Sequence, residues 1–429
     1  MPFLFSHLNQ PSILTLSLPA KKMSSSSHEI ILTSSPDGPI IAYDASSGAI
    51  LASFIGSRSP RQGLVLVGKT FIAASHISPA TASGSIHLYN WWSSTAFHHL
   101  PLPEPVAPIT ATSDGLYLFA GGLSGSIHAL SLPSGNLLKS LPAHEKPVSC
   151  LKISNDGSLL ISGGDDGALV VVPIFLLVEA STNENGGNII LHRFPAHADS
   201  VTDITLGVGL CNSTIISCSL DCTCKFWNLS RGTHLRTVAF PCIIFGVALD
   251  PTESEFHAAG LDGSVYKGTL LVGSKKLVSH GGELVKWTQK HDGAVISLGI
   301  TNEGRNLVSA AEDGSVWIRV ITTGEIIMAL KNEMGSISDM VVSIGRISYG
   351  KGHGVGGTSA TDESGNRSLS GRELSFPIKQ TLEMEEILTL VAKDRSRAID
   401  MLESAIDMYE KLLELILKEA KAGTGTGGE

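Results

Sequence analysis

"EDGSVWIRV" runs from Glu312 to Val320: an Asp-Gly turn, then residues with strand preference. Close variants of this phrase recur along the chain. "PDGPIIAYD" lies at Pro36–Asp44, "ASGSIHLYN" at Ala82–Asn90 and "LSGSIHALS" at Leu123–Ser131. "DDGALVVVP" follows at Asp165–Pro173, "LDCTCKFWN" at Leu220–Asn228 and "LDGSVYKGT" at Leu261–Thr269. Asp-Gly between apolar runs is a hairpin signal, because a tight hairpin turn needs residues that tolerate positive φ. A phrase used seven times belongs to a fold rather than to a reaction centre.

The turn positions are Asp37, Ser83, Ser124, Asp166, Asp221, Asp262 and Asp313, separated by 41 to 55 residues. A period near forty in seven copies predicts a propeller array. The two longest intervals hold polar, Gly-bearing stretches at Glu179–Asn188 and Val272–Glu283, which read as loop insertions. Within one period the pattern is strand, turn, strand, turn, strand, as in "VSCLKIS", "SLLISGG" and "ALVVVPI" between Val148 and Ile174, and a fourth strand precedes the next period. One such unit cannot bury both its faces alone.

The ends of the array complement each other. "HEIILTSS" at His28–Ser35 matches the second strand of the other copies, so the first copy lacks its innermost strand. "SISDMVVSI" at Ser336–Ile344 resembles a first strand with nothing behind it. Pairing of Ile337–Val342 with the N-terminal strands predicts seven blades of four strands, closed without free edges.

The chain has 429 residues, 42% apolar and 17% charged, with a net charge of −9. This composition supports a large core, and the acidic balance opposes a broad basic face for naked nucleic acid. No apolar run reaches the ~18–20 residues of a membrane span. No Walker loop, HExxH, dinucleotide fingerprint or paired zinc motif is present, so no cofactor or metal is expected. Of the six cysteines, Cys218, Cys222 and Cys224 fall in one repeat. Cys222 and Cys224 share a face if both lie on a strand, and buried thiols are favoured over a metal site that lacks a second pair. Residues 1–26, ending beyond Lys21-Lys22, read as a disordered leader, and their acid-free Ser/Leu composition is also compatible with a transit peptide.

From Ser27 to Ile344 the chain resembles the WD-repeat (WD40) family. The fifth blade carries the fullest match: His197, Ser217, Asp221 and Trp227. In that family such a set forms a hydrogen-bond chain inside the blade. The fourth blade matches at His144, Ser162 and Asp166, with Val172 at the Trp position. The seventh matches at His291, Ser309 and Asp313, with Arg319 there. Blades three and six have lost most of the set. A hydrolase reading of His, Ser and Asp is rejected, because the trio recurs and its Ser lies inside a strand rather than at a sharp exposed elbow. The chain is therefore read as a non-enzyme.

Beyond the propeller (27–344), residues 345–380 are rich in Gly and Ser and read as a flexible linker. Residues 381–420 are rich in helix formers and predict an α-helix, with 421–429 a disordered tail. Leu388, Ala392, Arg395, Ile399, Leu402, Ile406, Tyr409, Leu413 and Ile416 step by fours and threes, the seam of a coiled coil that pairs with a second copy or a partner helix.

The order of these features, with Tyr89–Trp92 and the C-terminal seam, is similar to one WD-repeat group. It includes the plant root-initiation-defective protein, vertebrate WD repeat protein 18 and the fungal pre-rRNA-processing WD subunit. That resemblance implies a scaffold in a nuclear (nucleolar and nucleoplasmic) complex acting on large-subunit (60S) ribosome precursors and ITS2 processing. The implied partners are helical-repeat scaffold subunits and a midasin-type ATPase, with homodimerisation through the C-terminal helix. The alternative from fold alone is a substrate receptor or signalling adaptor, such as for a cullin-type ubiquitin ligase.

Overall fold

In a computed structural model, the structure describes residues 28–345 apart from 69–70, 79–82, 180–188, 208–213, 271–283 and 332–334. The described residues form twenty-eight strands in seven antiparallel sheets of four. Blade one combines Asp339–Gly345, His28–Ser34, Ile40–Asp44 and Ile50–Phe54. Blades two to seven follow in chain order, with inner strands Leu64–Val67, Val106–Ala111, Val148–Ile153, Val201–Leu206, Ile244–Leu249 and Val295–Thr301. These six strands and Asp339–Gly345 ring an axial channel of about 590 Å³.

Burial follows position in the blade. The second strands, such as Leu159–Gly164, are buried almost throughout because neighbouring blades cover both faces. Outer strands such as Ile326–Lys331 alternate between half-buried and exposed, the period of two that a half-covered pleat imposes. The core therefore lies between blades. Ile216, Cys218 and Phe226 of blade five pack against Ile244, Val247 and Phe256 of blade six. Each such apolar side chain contributes ~1.5–3 kcal/mol on burial, and most of it comes from the neighbouring sheet.

Ring closure pairs Asp339–Gly345 with His28–Ser34 over seven residues, from Ser34 opposite Asp339 to His28 opposite Gly345. The strand begins two residues later than the sequence predicts. Ile337 is instead buried against Ile31, Val308 and Ile318, and the Ser338 N–H donates to the Ser34 carbonyl at 2.8 Å.

Two local features depart from the sequence reading. A five-residue helix, Ile174–Val178, follows the third strand of blade four and packs Ile174 and Leu177 into the apolar cluster shared with blade three. Cys222 is not on a strand: it occupies the hairpin turn at φ 62°, where blade four has Gly167 at φ 74°. A Cβ on Gly167 would meet the His197 carbonyl at 2.4 Å, so that turn requires glycine, whereas blade five tolerates a side chain there. The predicted linker, C-terminal helix and coiled-coil seam lie outside the described residues.

Candidate functional site

The sequence-selected polar residues meet inside the blades. In blade five, the preceding loop brings His197 over the hairpin turn. Its Nδ1 lies 2.9 Å from Asp221 and its Nε2 2.8 Å from the Ser217 hydroxyl. The Trp227 indole N–H donates to the same Ser217 oxygen at 3.0 Å. The network is consistent with one tautomer: Nδ1–H donates to the carboxylate, and Nε2 accepts the serine proton. Asp221 also accepts the backbone N–H groups of Ala198 and Thr223, tying the loop to the turn. Ser217 is wholly buried and held between two partners, the environment of a register-fixing group rather than a nucleophile.

Blade four repeats the geometry without the indole. His144 Nδ1 is 3.0 Å from Asp166 and Nε2 is 2.8 Å from Ser162, while Val172 fills the Trp position. Blade seven rearranges it. His291 Nε2 meets Ser309 at 2.8 Å, but Nδ1 faces the Ser315 hydroxyl at 2.6 Å, and Ser315 donates to Asp313. Arg319 pairs with Leu307 as Trp227 pairs with Ile215, so it holds the Trp position. It is fully buried, with its guanidinium 4.8 Å from the Trp317 ring and 5.3 Å from that of Trp287. Its Nη2 donates to the Gln289 carbonyl at 3.0 Å. Trp317 in turn stacks on His291 at 3.8 Å.

Blades three and six, read from sequence as degenerate, rebuild a network from other residues. Their second strands carry Ala120 and Ala258 where blade five has Ser217. Facing each alanine on the third strand is a large polar side chain, His128 and Tyr266. His128 lies 2.7 Å from Glu104 and 2.8 Å from Ser140. The Tyr266 hydroxyl donates to Asp262 at 2.9 Å, and Lys286 reaches the same carboxylate at 2.7 Å. Small residues facing large polar ones at this register are the sequence signal that identifies the substitution.

The electrostatics follow from burial. Burial lowers the His144 and His197 pKa values despite the attraction of Asp166 and Asp221, and brings His291 down to about 4, aided by the Arg319 charge. The imidazoles are therefore neutral links. Burial pushes the Asp221 carboxyl up, but hydrogen bonds from Thr223, His197 and Ala198 outweigh it and hold it below its usual value. Asp262 falls to about 2 because its bonds from Lys286, Tyr266 and Ser264 outweigh burial. Burial pushes the Cys150 thiol up to about 12, as in an inert core residue. Among the described residues no group of three or more His, Cys, Asp or Glu is placed to hold a metal, and no helix is long and apolar enough to cross a membrane.

A ring of seven four-stranded blades fixed by internal polar chains and enclosing a channel defines the class, a β-propeller. The WD domain, G-beta repeat model matches residues 135–171 and 188–228, covering most of blade four and much of blade five. The chain carries WD40 repeats and is similar to a particular group of WD-repeat proteins. It is 36% identical over 289 residues to Protein ROOT INITIATION DEFECTIVE 3 of Arabidopsis thaliana, covering 67% of this chain and 65% of that protein, just under two thirds of its length. It is 27% identical to WD repeat-containing protein 18 of Homo sapiens, over 74% of this chain and 73% of the relative. It is 23% identical to the pre-rRNA-processing protein crb3/ipi3 of Schizosaccharomyces pombe, over 81% of this chain and 80% of the relative. Among solved structures, the computationally designed Ika8 protein aligns with a TM-score of 0.52 at 18% identity, over 72% of this chain and 86% of that one. That is a likeness of fold alone.

Proposed function

We propose that this chain is a scaffold subunit for ribosome biogenesis, acting in pre-rRNA processing on large-subunit precursors, including ITS2 removal, in the nucleus. The observation that carries the reading is the likeness to the pre-rRNA-processing protein crb3/ipi3 over four fifths of both chains. Closed blades whose polar groups are engaged internally suit a rigid platform for other proteins rather than a catalyst. We further propose helical-repeat scaffold subunits and a midasin-type ATPase as partners. The domain plan proposed is a propeller over 27–344, a linker over 345–380 and a helix over 381–420. The stripe Leu388, Ile399, Leu402, Ile406, Tyr409, Leu413 and Ile416 is the proposed homodimer seam.

Affinity purification of the tagged full chain from its own cells tests the first claim. Pre-rRNA and large-subunit precursor proteins should co-purify. Recovery of a cullin adaptor without precursor particles would instead support the receptor alternative. The seam is tested separately: Leu402→Asp, Ile406→Asp and Leu413→Asp together should halve the mass measured by light scattering, and an unchanged mass sinks the dimer.

A further inference from the structure

The connection between blades one and two contains "RSPRQG", Arg58–Gly63. It does more than join neighbouring blades. The Arg61 guanidinium donates from Nη2 to the Thr202 carbonyl at 3.3 Å and to the Phe245 carbonyl. Its charge also lies 4.7 Å from the Phe245 ring centroid. Thr202 and Phe245 are the second residues of the inner strands of blades five and six. In a ring of seven, these are the two blades opposite blade two. Arg61 therefore crosses the axis at the mouth where the inner strands begin.

Gln62 makes the same crossing. Its amide donates to Asp203 of blade five at 3.1 Å, and its backbone carries φ 59°, left-handed for a residue with a side chain. The rest of the segment is tied down close by. The Gln62 carbonyl accepts from Ile109 of blade three at 2.9 Å, and the Gly63 carbonyl accepts from Ser75 of blade two at 2.8 Å. The Ser59 carbonyl accepts the Ser338 hydroxyl, from just ahead of the blade-one closing strand, at 2.7 Å. Six residues thus bond to blades one, two, three, five and six. Two buried carboxylates extend the pattern beneath them. Asp203 accepts the Val247 N–H of blade six at 3.0 Å, and Asp339 accepts the Leu64 N–H of blade two at 3.1 Å.

We propose that Arg58–Gly63 is a clasp laid across one mouth of the axial channel, tying the closure side of the ring to the two blades opposite. A connection between adjacent blades needs none of these cross-axis bonds. A left-handed non-glycine backbone persists only where its surroundings hold it, and here both side chains at the crossing are held by the far wall. With Arg61 and Gln62 in place, the channel is obstructed at this mouth.

Hydrogen–deuterium exchange on the full chain tests the clasp, with Arg61→Ala compared against the parent. A clasp predicts that peptides covering Val201–Leu206 and Ile244–Leu249 exchange at least about tenfold faster, although they lie 140 residues or more from the substitution. Faster exchange confined to residues 58–67 would overturn it. If Arg61→Ala does not fold, Arg61→Lys keeps the charge but loses the fork, and is read by the same peptides with the same two outcomes. A double-mutant cycle between Arg61→Lys and Phe245→Leu adds a readout that a purely local loop would not move: additive effects count against the clasp, and a coupling beyond additivity supports it.

Discussion

Blade five and blade one solve one problem by different means. Blade five is contiguous in sequence, and its register is fixed from within by His197, Ser217, Asp221 and Trp227. Blade one is assembled from both ends of the array. It is fixed by seven consecutive pairings of Asp339–Gly345 with His28–Ser34, and by bonds to its neighbour through Ser338 and Asp339. A local blade spends few residues on a buried polar chain. A blade made from distant segments uses strand length and contacts between blades, because bringing its ends together costs chain entropy before any contact forms.

The largest expected effect comes from breaking blade one. A chain ending after Ser338 should lose the single cooperative melting transition kept by a chain ending after Gly345. Without the closing strand, His28–Ser34 presents an open edge next to the channel, and Ile31 and Val308 lose the cover of Met340. Calorimetry of the two truncations decides it: equal melting temperatures would mean that blade one is not the keystone of the ring.

Breaking blade five comes next. Ser217→Ala leaves Trp227 Nε1 and His197 Nε2 buried without their shared partner. Two orphaned groups in a dry interior cost roughly 2–4 kcal/mol, so melting should fall by about 5 °C or more. The same exchange in blade four, Ser162→Ala, orphans only His144 Nε2 and should cost about half as much. Equal losses would show that the indole contributes nothing to the chain.

The contrast also separates what the sequence made legible from what it did not. The hairpin turns, the seven-blade count and the joining of the two ends were readable because each rests on spacing or on a pattern that begins or stops in mid-unit. His197, Ser217, Asp221 and Trp227 were readable because the four sit at fixed offsets in one period. The networks of blades three and six were missed because their key residues moved to another strand. Glu104 and His128 are 24 residues apart, and neither occupies the usual place. The short helix at Ile174–Val178 carried no capping residue to announce it. Arg61 was invisible for a stronger reason: its partners lie 141 and 184 residues away, and no local pattern records a contact across a ring.

Acid should act on blade five before it acts on blade one. His144, His197 and His291 have folded pKa values below the ordinary 6.5, with His291 at about 4. Folding therefore favours their neutral forms. The stability they contribute is complete above pH 6.5 and is lost as the pH falls from there through the folded values. Asp166, Asp221 and Asp313 are also shifted down, so their contribution fades only below the usual carboxylate value near 3.8. Their contribution to melting temperature should therefore decline between pH 6.5 and 4, against an opposite pull from Asp339 of blade one, whose carboxyl burial raises to about 7. Replacing all three histidines with Gln should lower stability at pH 7 but flatten that decline. A variant with the parent's full slope would place the acid sensitivity elsewhere, with the buried His87 and His257 the next groups to test.

The smallest expected effect is the counterpart of Ser217→Ala in blade one. The Ser338 hydroxyl donates to the Ser59 carbonyl at 2.7 Å and lies 3.1 Å from the Ser34 hydroxyl. Ser338→Ala removes both contacts, yet what is lost is one neutral hydroxyl, and the Ser338 N–H keeps its bond to the Ser34 carbonyl at 2.8 Å. The loss should be about 1 kcal/mol, a degree or two in melting temperature, and well below that of Ser217→Ala. The reason is redundancy: blade one keeps seven strand pairings after the substitution, whereas blade five loses the atom through which His197 and Trp227 are joined. Should Ser338→Ala cost as much as Ser217→Ala, strand pairing would not be what holds blade one in register, and the hydroxyl contacts between Ser34, Ser59 and Ser338 would have to be carrying the closure.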